Sequence, residues 1–507
     1  MATEAKPQDQ SIDHQGKEKI VPKAMEALRA AMSPADKQYA AQKNVPRRIH
    51  LLGTGSIGKL VAHSLRGIPD PPPVTLIFHR TKLLQAWERS KKVVTVQDGD
   101  FLVPRGGFDV ELMPAAQRRH GVTMQEGKPD VYNLSDQTGM KPHEVAKIVA
   151  DEQEQASRKE KEEKGKVGFK PIGAPEEEEG RKSLPGDYAK SDEPIHSLIV
   201  CTKTIRTIGA LDALKHRISK DTTICFLQNG MGVIDDVNRD VFTDEATRPQ
   251  YLQGIVSHGA NVPPQKAIED PFFVVHAGHG TIAVGAVPPK PSTPSKSSDR
   301  PPTPTGFGTE NPGEMDEEKV NELQPTGRYI TRTLTRTPVL ACVAFTPLEL
   351  LQLQLEKLAV NSILNPLTAL LDNRNGTLLY NFALTRTMRL MLAETSLIIR
   401  SLPELRGIPN VPNRFSAERL ETLVVSVANK TRNNISSMLA DVRRGAQTEI
   451  EYINGYIIKR GEEMNIKAIV NYSMMQVVVG KALMAQREYQ DEVPVEGKGR
   501  RTDLNRE

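Results

Sequence analysis

One short stretch constrains the fold more than any other. Gly53-Thr54-Gly55-Ser56-Ile57-Gly58 follows directly on the apolar run Ile49-His50-Leu51-Leu52, and Lys59–Leu65 behind it has helical propensity and helical apolar spacing. A second β run, Val74–Phe78, closes the segment. Strand, glycine turn, helix and strand within about 30 residues make one βαβ unit. Gly53 permits the tight turn, Gly55 lets a pyrophosphate approach the backbone, and Gly58 lets the helix lie close on the strand. The free N–H groups of the helix N-terminus then face the phosphates, and Thr54, Ser56 and Ile57 complete the loop. An isolated GxGxxG carries little weight. The strand before it and the helix after it make this one a dinucleotide site rather than a structural glycine turn.

The choice of dinucleotide turns on the end of the second strand. A site for NAD wants a carboxylate about 20 residues on, to hold the ribose 2′-hydroxyl. This chain has Phe78-His79-Arg80-Thr81-Lys82 there, a guanidinium 22 residues past Gly58. Arg80 suits a 2′-phosphate, with Lys82 in support, and the expected cofactor is NADPH. The alternative is a basic strand end that only faces water.

Composition explains the rest of the length. The chain has 507 residues but only 38% hydrophobic ones, so part of it dilutes one or two ordinary cores. Residues 1–45 read as a polar arm with a short helical candidate, Val21–Met32. Residues 151–190 hold 20 charged residues in 40, within an insertion spanning about 115–193 that is expected to be disordered. A second insertion, about 287–325, has 8 prolines between Pro288 and Pro312, a linker composition. Buried strands are expected at Ser197–Thr202 and Thr222–Leu227, with shorter ones at Ile255–Ser257 and Thr281–Val284. Beyond Pro347 the spacing turns helical, over Leu348–Leu371, Leu378–Leu402, Ala417–Leu439 and Asn465–Leu483, before a polar tail at 491–507. The expected plan is an α/β domain over 46–345, interrupted twice, then an all-helical domain over 346–490.

Several function classes drop out. No apolar stretch approaches the ~20 residues of a membrane span. A net charge of +4 from 67 basic and 63 acidic residues is no footprint for nucleic acid or an anionic membrane. Cys201, Cys225 and Cys342 are odd in number and widely spaced, which argues against a disulfide scaffold and for a reducing compartment. The N-terminal residues show no secretory or ordinary mitochondrial pattern. The expected compartment is the cytoplasm, with an internal mitochondrial address the alternative.

Chemistry is written on one helix. Lys357, Asn361 and Asn365 lie four residues apart, and each step drifts only about 40° around the helix, so they share one stripe. Such a stripe is often just the wet face. Here its neighbours are almost all Leu, Ile, Val or Ala, which fits a polar line facing a cleft. His258, His276 and His279 also lie near one another, but His-x17-His-x2-His on strand-like segments lacks the usual helical zinc spacing, and no metal site is expected.

At this point the chain resembles the ketopantoate reductase (2-dehydropantoate 2-reductase) family. The resemblance rests on Lys357-Leu-Ala-Val-Asn361-Ser-Ile-Leu-Asn365-Pro with Asn375-Gly376, and on Asn433-Asn434-Ile-Ser436-Ser437 through Asp441. Thr448-Glu449 with Asn454-Gly455, Thr202-Lys203, and Gln228-Asn229-Gly230 follow the same signature. The resemblance implies a Rossmann-type NADP-binding domain followed by a helical domain like the C-terminal domain of 6-phosphogluconate dehydrogenase. It implies Lys357 as general acid, with Glu449 closing the site. Asn361, Asn365, Asn375, Asn434 and Ser437 would contact the substrate, and Lys203, Asn229 and Ala260 would line the nicotinamide side.

The implied activity is reduction of 2-dehydropantoate to (R)-pantoate, a step toward pantothenate and coenzyme A. The partner is then a small 2-oxo acid, with no nucleic acid and no membrane, and a homodimer is compatible with it. Another 2-oxo acid as substrate, or a non-catalytic binding or regulatory protein on the same scaffold, are the alternatives. The arm and both insertions depart from the family's compact form and resemble additions in fungal relatives. One segment conflicts with itself: Glu449–Ile458, with its Asn454-Gly455, reads locally as a β-hairpin. The family fold and the helical spacing around it favour a helix.

Overall fold

Burial on the first strands is complete from residue to residue, and successive side chains feed opposite faces of one sheet. Ile49 and Leu51 join one apolar core and Leu52 the other; Ile199 joins the first, Leu198 and Val200 the second. That pattern is what a strand covered by helices on both sides requires. The computed structural model describes residues 45–113, 117–119, 122–124, 191–263, 266, 269–288 and 323–491. The helical candidate Val21–Met32, the charged stretch 151–190, nearly all of the Pro-rich stretch and the tail from 492 lie outside these residues. The chain divides into two units, Met1–Arg47 and Arg48–Glu507, and every described strand and helix belongs to the second.

The strands of this unit are β1 Ile49–Leu52, β2 Val74–Phe78, β3 Val94–Asp98, β4 Phe101–Arg105, β5 Phe108–Leu112, β6 Gln117–Arg119 and β7 Val122–Met124. After the long connection come β8 Ser197–Val200, β9 Thr223–Phe226, β10 Gln250–Val256, β11 Gly259–Asn261, β12 Phe273–Gly278, β13 Ile282–Ala286 and β14 Cys342–Ala344. The main sheet runs β14-β13-β10-β9-β8-β1-β2-β5. From β5 to β10 every pairing is parallel, and β13 reverses against β10. Counted in chain order from β1, the six parallel strands are arranged 3-2-1-4-5-6, the doubly wound dinucleotide-binding order. The strand order reverses between β1 and β8, which opens a crevice at their carboxyl ends. A smaller sheet, β11-β12-β3-β4, packs beside it, and β6 pairs with β7 as a hairpin.

Helix α1, Ser56–Leu65, follows β1, and α2, Thr81–Arg89, follows β2. Lys59 pins α1 to the smaller sheet, its buried Nζ donating to the carbonyls of Pro271 and Phe273 at 2.9 Å. On the other face lie α3, Thr207–Leu214, and α4, Val233–Asp240; α5, Pro325–Thr335, leads to β14. The helical part begins with α6, Pro347–Leu371, started by a reciprocal cap in which Thr346 and Glu349 satisfy each other's backbone N–H groups. Around it gather α7 Phe382–Ser401, α8 Ala417–Lys430, α9 Ser437–Val442, α10 Asn454–Glu463 and α11 Ile469–Asp491. No described helix is long and apolar enough to cross a membrane.

The α/β-then-helical plan holds, with local departures. The helix expected over Ala417–Leu439 is broken. Thr431 turns its hydroxyl back onto the Val427 carbonyl, at 2.7 Å, and Ser436 caps a new helix by accepting from Leu439 N at 3.1 Å. Glu449–Ile458 is not a hairpin: a 3₁₀ turn at Ile450–Tyr452 runs into α10. There Asn454 is fully buried, its Nδ2 donating to the carbonyl of Ser362 and to Asn471 Oδ1, both at 3.0 Å. Those two partners hold it in a helix, whereas a turn would expose it. The smaller sheet has no counterpart among the expected elements.

Candidate active site

The glycine loop is built from space that side chains would fill. Gly53 has φ of +101°, and a Cβ on it would stand 2.5 Å from Thr202 N, so the turn after β1 closes against the end of β8. A Cβ on Gly58 would stand 1.9 Å from the Gly53 carbonyl oxygen. At Gly55 the situation is the reverse, because a Cβ there would meet nothing within 4 Å. Gly55 is also the N-cap of α1, which has no side-chain cap and no acidic residue in its first turn. The loop therefore presents bare backbone donors to an open crevice, a fit for a pyrophosphate.

At the far end of β2, Arg80 is exposed and makes no described side-chain hydrogen bond or ion pair among the described residues, and Lys82 is exposed beside it. His79 next to them is held below the ordinary imidazole range by its partial burial and by the charges of Arg80 and Arg206. Arg206, also exposed, thus adds a second guanidinium to this corner from the β8–α3 connection.

The reaction end is the opposite kind of place. Lys357, two-fifths of the way along α6, donates from Nζ to Asn229 Oδ1 at 2.9 Å and to the Val256 carbonyl at 2.8 Å. Asn229 follows β9 and Val256 ends β10, so this ammonium ties the helical part to the carboxyl edge of the sheet. Burial lowers Lys357 to about 8, with Glu449 opposing. Lys203, just after β8, moves the other way. Burial alone would lower it, but Glu449 and Asp441 outweigh that and hold it above the ordinary lysine range. Its Nζ lies 2.7 Å from Asp441 Oδ2 and 3.4 Å from Glu449 Oε2. Glu449 Oε1 in turn accepts from the Thr204 backbone N–H and hydroxyl, both at 3.0 Å, and the same hydroxyl lies 2.8 Å from the Asn229 carbonyl. The opposed shifts suit Lys203 to remain a fixed positive charge and Lys357 to exchange a proton near neutral pH.

A narrow cleft, partly open to solvent, lies beside Lys357 and is lined by Gln228, Gly230, Gln354 and Asn361 among others. Gly230, at φ of +83°, sits where a Cβ would be 2.5 Å from the Tyr452 carbonyl, which brings the β9 end against the helical part. Asn365 is buried one turn further along the stripe. Asn434 is exposed on the loop that breaks the expected helix, and Ser437 is exposed at the start of α9. Asn375 lies buried beneath that loop: its Nδ2 donates to Thr431 Oγ1 at 2.9 Å and its backbone N–H to the Asn434 carbonyl at 3.0 Å, while its Oδ1 is left without a partner. Ala260 is half-buried on β11.

Residues 140–289 match the family model described as ketopantoate reductase PanE/ApbA, and residues 349–482 match the one for its C-terminal part. A probable 2-dehydropantoate 2-reductase of Schizosaccharomyces pombe is 30% identical over 287 residues, 56% of this chain and 73% of the relative. The chain belongs to the ketopantoate reductase family. Membership places it among oxidoreductases. It is also similar to a ketoisovalerate reductase of Beauveria bassiana, 22% identical over 85% of this chain and 82% of that one. Among solved structures, a PanE/ApbA family ketopantoate reductase of Ralstonia eutropha is similar in fold, with a TM-score of 0.51 at 15% identity, covering 87% of this chain and 99% of that one.

For this family member, the sequence alone points to Lys357, Asn229, Lys203 and Glu449, which the structure brings together. It gives no role to Asp441, Thr204 or the Val256 carbonyl. Asp441 stands at the end of a family motif, so a signal exists; Thr204 and a backbone oxygen offer none.

Proposed function

We infer that this chain is an NADPH-dependent reductase of a 2-oxo acid, converting 2-dehydropantoate to (R)-pantoate. The observation that carries the reading is the Lys357 ammonium, lowered to about 8 and held between Asn229 and the end of β10 beside the cleft. Gly53–Gly58 hold the pyrophosphate through backbone N–H groups, and Arg80 holds the 2′-phosphate. When bound, the reduced nicotinamide supplies the hydride. Negative charge then develops on the substrate's carbonyl oxygen, and Lys357 stabilises it and delivers the proton from Nζ. Asn361 and Asn365 line the approach along the same helix face. Asn434 and Ser437 grip the hydroxyl and carboxylate end, so that one face of the ketone meets the cofactor. Lys203, kept charged by Asp441 and Glu449, and Ala260 border the nicotinamide side.

A second substrate is favoured by the extent of the match to the Beauveria bassiana protein, 85% of this chain. Ketoisovalerate has a hydrogen where ketopantoate has a hydroxymethyl group, so the two readings differ at that one group. The test is NADPH oxidation by the purified full chain with each acid in turn. A higher kcat/KM for ketopantoate that Ser437→Ala narrows supports the first reading, and an equal or higher value for ketoisovalerate supports the second. Turnover with neither acid defeats both.

A further inference from the structure

The smaller sheet gathers a set of side chains to which the proposed reaction gives no role. β3 and β12 run parallel and end side by side, and Asp98 closes the first while His276 and His279 lie at the end of the second. One potential ligand atom from each of the three lies within 4.8 Å of the others. His279 Nε2 is 3.0 Å from Asp98 Oδ1, and His276 Nδ1 is 3.9 Å from Asp98 Oδ2. His276 is fully buried at its side chain, whereas Asp98 and His279 are 44% and 67% exposed. The cluster thus has a fixed inner wall and two outer arms free to adjust.

The hydrogen bonds decide which way His276 faces. Gly280 N–H donates to His258 Nδ1 at 3.1 Å, so that nitrogen carries no proton, and His258 Nε2–H donates to the Leu340 carbonyl at 3.0 Å. His276 Nε2 lies 3.1 Å from the same His258 Nδ1, and only a proton on His276 can make that bond. Neutral His276 therefore turns a bare Nδ1 lone pair toward Asp98. That nitrogen is buried and has no hydrogen-bond partner among the described residues. A lone pair aimed at a carboxylate is an unfavourable arrangement that a cation between them would reverse.

We propose that Asp98, His276 and His279 form a binding site for a divalent transition metal of the zinc class. Two imidazoles and one carboxylate are the donor set such ions favour, and three protein ligands leave a position for water. Zinc bonds of about 2.0–2.2 Å at tetrahedral angles put ligand atoms roughly 3.3 Å apart, near the 3.0 and 3.9 Å found at Asp98. His276 binds through Nδ1, its Nε2–H already held by His258, which is the outer hydrogen bond a metal-bound imidazole needs. His279 moves its proton to Nδ1 and offers Nε2. The ion then staples β3 to β12. The sequence argued against a metal because His258, His276 and His279 lack the usual helical zinc spacing; here His258 only holds His276, and the third ligand, Asp98, lies far upstream and arrives through the β3–β12 pairing.

The test uses the full chain stripped with a chelator and titrated with Zn²⁺ against a chromophoric competitor. One equivalent should bind, and Asp98→Asn and His279→Ala should each weaken it at least ~100-fold, beyond the ~10–100-fold that losing an outer hydrogen bond brings. Both residues are exposed, so the variants keep the fold; equal circular dichroism spectra check this. Zn²⁺ should also raise the Tm of the unsubstituted protein and leave that of the double variant unchanged. No stoichiometric binding, or binding that the variants keep, overturns the proposal, and either readout is independent of reductase activity.

Discussion

The two ends of the crevice are made by opposite means. At the nucleotide end the loop is shaped by what is missing, Cβ atoms at Gly53 and Gly58 and a cap on α1, and Arg80 stands exposed beside it. At the lysine end nearly every polar atom has a partner, and Lys203, Asp441, Glu449, Thr204, Asn229 and Lys357 form one connected set. The difference fits the tasks proposed for the two ends. A dinucleotide is held by backbone donors and one charge that must wait unpaired for its phosphate. A proton donor must have its ionisation set before the substrate arrives, and that needs neighbours.

The contrast breaks most visibly at Lys357. Lys357→Ala should lower kcat by about 10²–10⁴ while leaving NADPH binding near the unsubstituted value, measured by steady-state turnover and fluorescence titration. The unsubstituted rate should fall as pH rises through about 8, because the protonated amine is the acid and burial has lowered it to that value. A rate unchanged from pH 7 to 10 removes Lys357 from that role. Next in size is Arg80→Asp. Losing a charge-assisted contact of about 1.5–3 kcal/mol should raise KM for NADPH roughly 10- to 150-fold and move NADH far less. An unchanged NADPH/NADH preference assigns the 2′-phosphate elsewhere, with Arg206 the nearest described alternative. The smallest effect separates two glycines. Gly53→Ala forces a Cβ against Thr202 at positive φ and should cost about 1–3 kcal/mol of stability in chemical denaturation. Gly55→Ala meets open space, so its Tm should hold while NADPH binding weakens. Equal Tm losses from both would contradict the description of the loop.

Legibility in the sequence follows distance along the chain. The β1–loop–α1 unit is readable because its turn, helix start and apolar runs are neighbours. Lys357, Asn361 and Asn365 are readable because a helix repeats. The end of Ala417–Lys430 escapes notice because Thr431 and Ser436 act through side-chain bonds that local apolar spacing does not register. Glu449–Ile458 is ambiguous locally, and the buried Asn454 contacts that decide it come from α6 and α11. Asp98, Thr204 and Asp441 depend on pairings across scores of residues. Opposed shifts at Lys203 and Lys357 are out of reach as well, since both are lysines and only burial and carboxylate distance separate them.

The bridge from Lys203 to Asp441 and Glu449 also bears on how such a chain can drift. Asp441 and Glu449 are almost fully buried, at 2% and 6% side-chain exposure, and Lys203 arrives from the other half of the molecule. Lys203 keeps 37% of its side chain exposed, so losing one member costs less than the roughly 3–5 kcal/mol of a fully buried pair, and Arg444 offsets part of it at Asp441. Against a total stability of about 5–15 kcal/mol, a lone replacement still consumes part of the margin that keeps the chain folded. Lineages change this quartet, with Thr204 its fourth member, more readily by steps in which two positions move together.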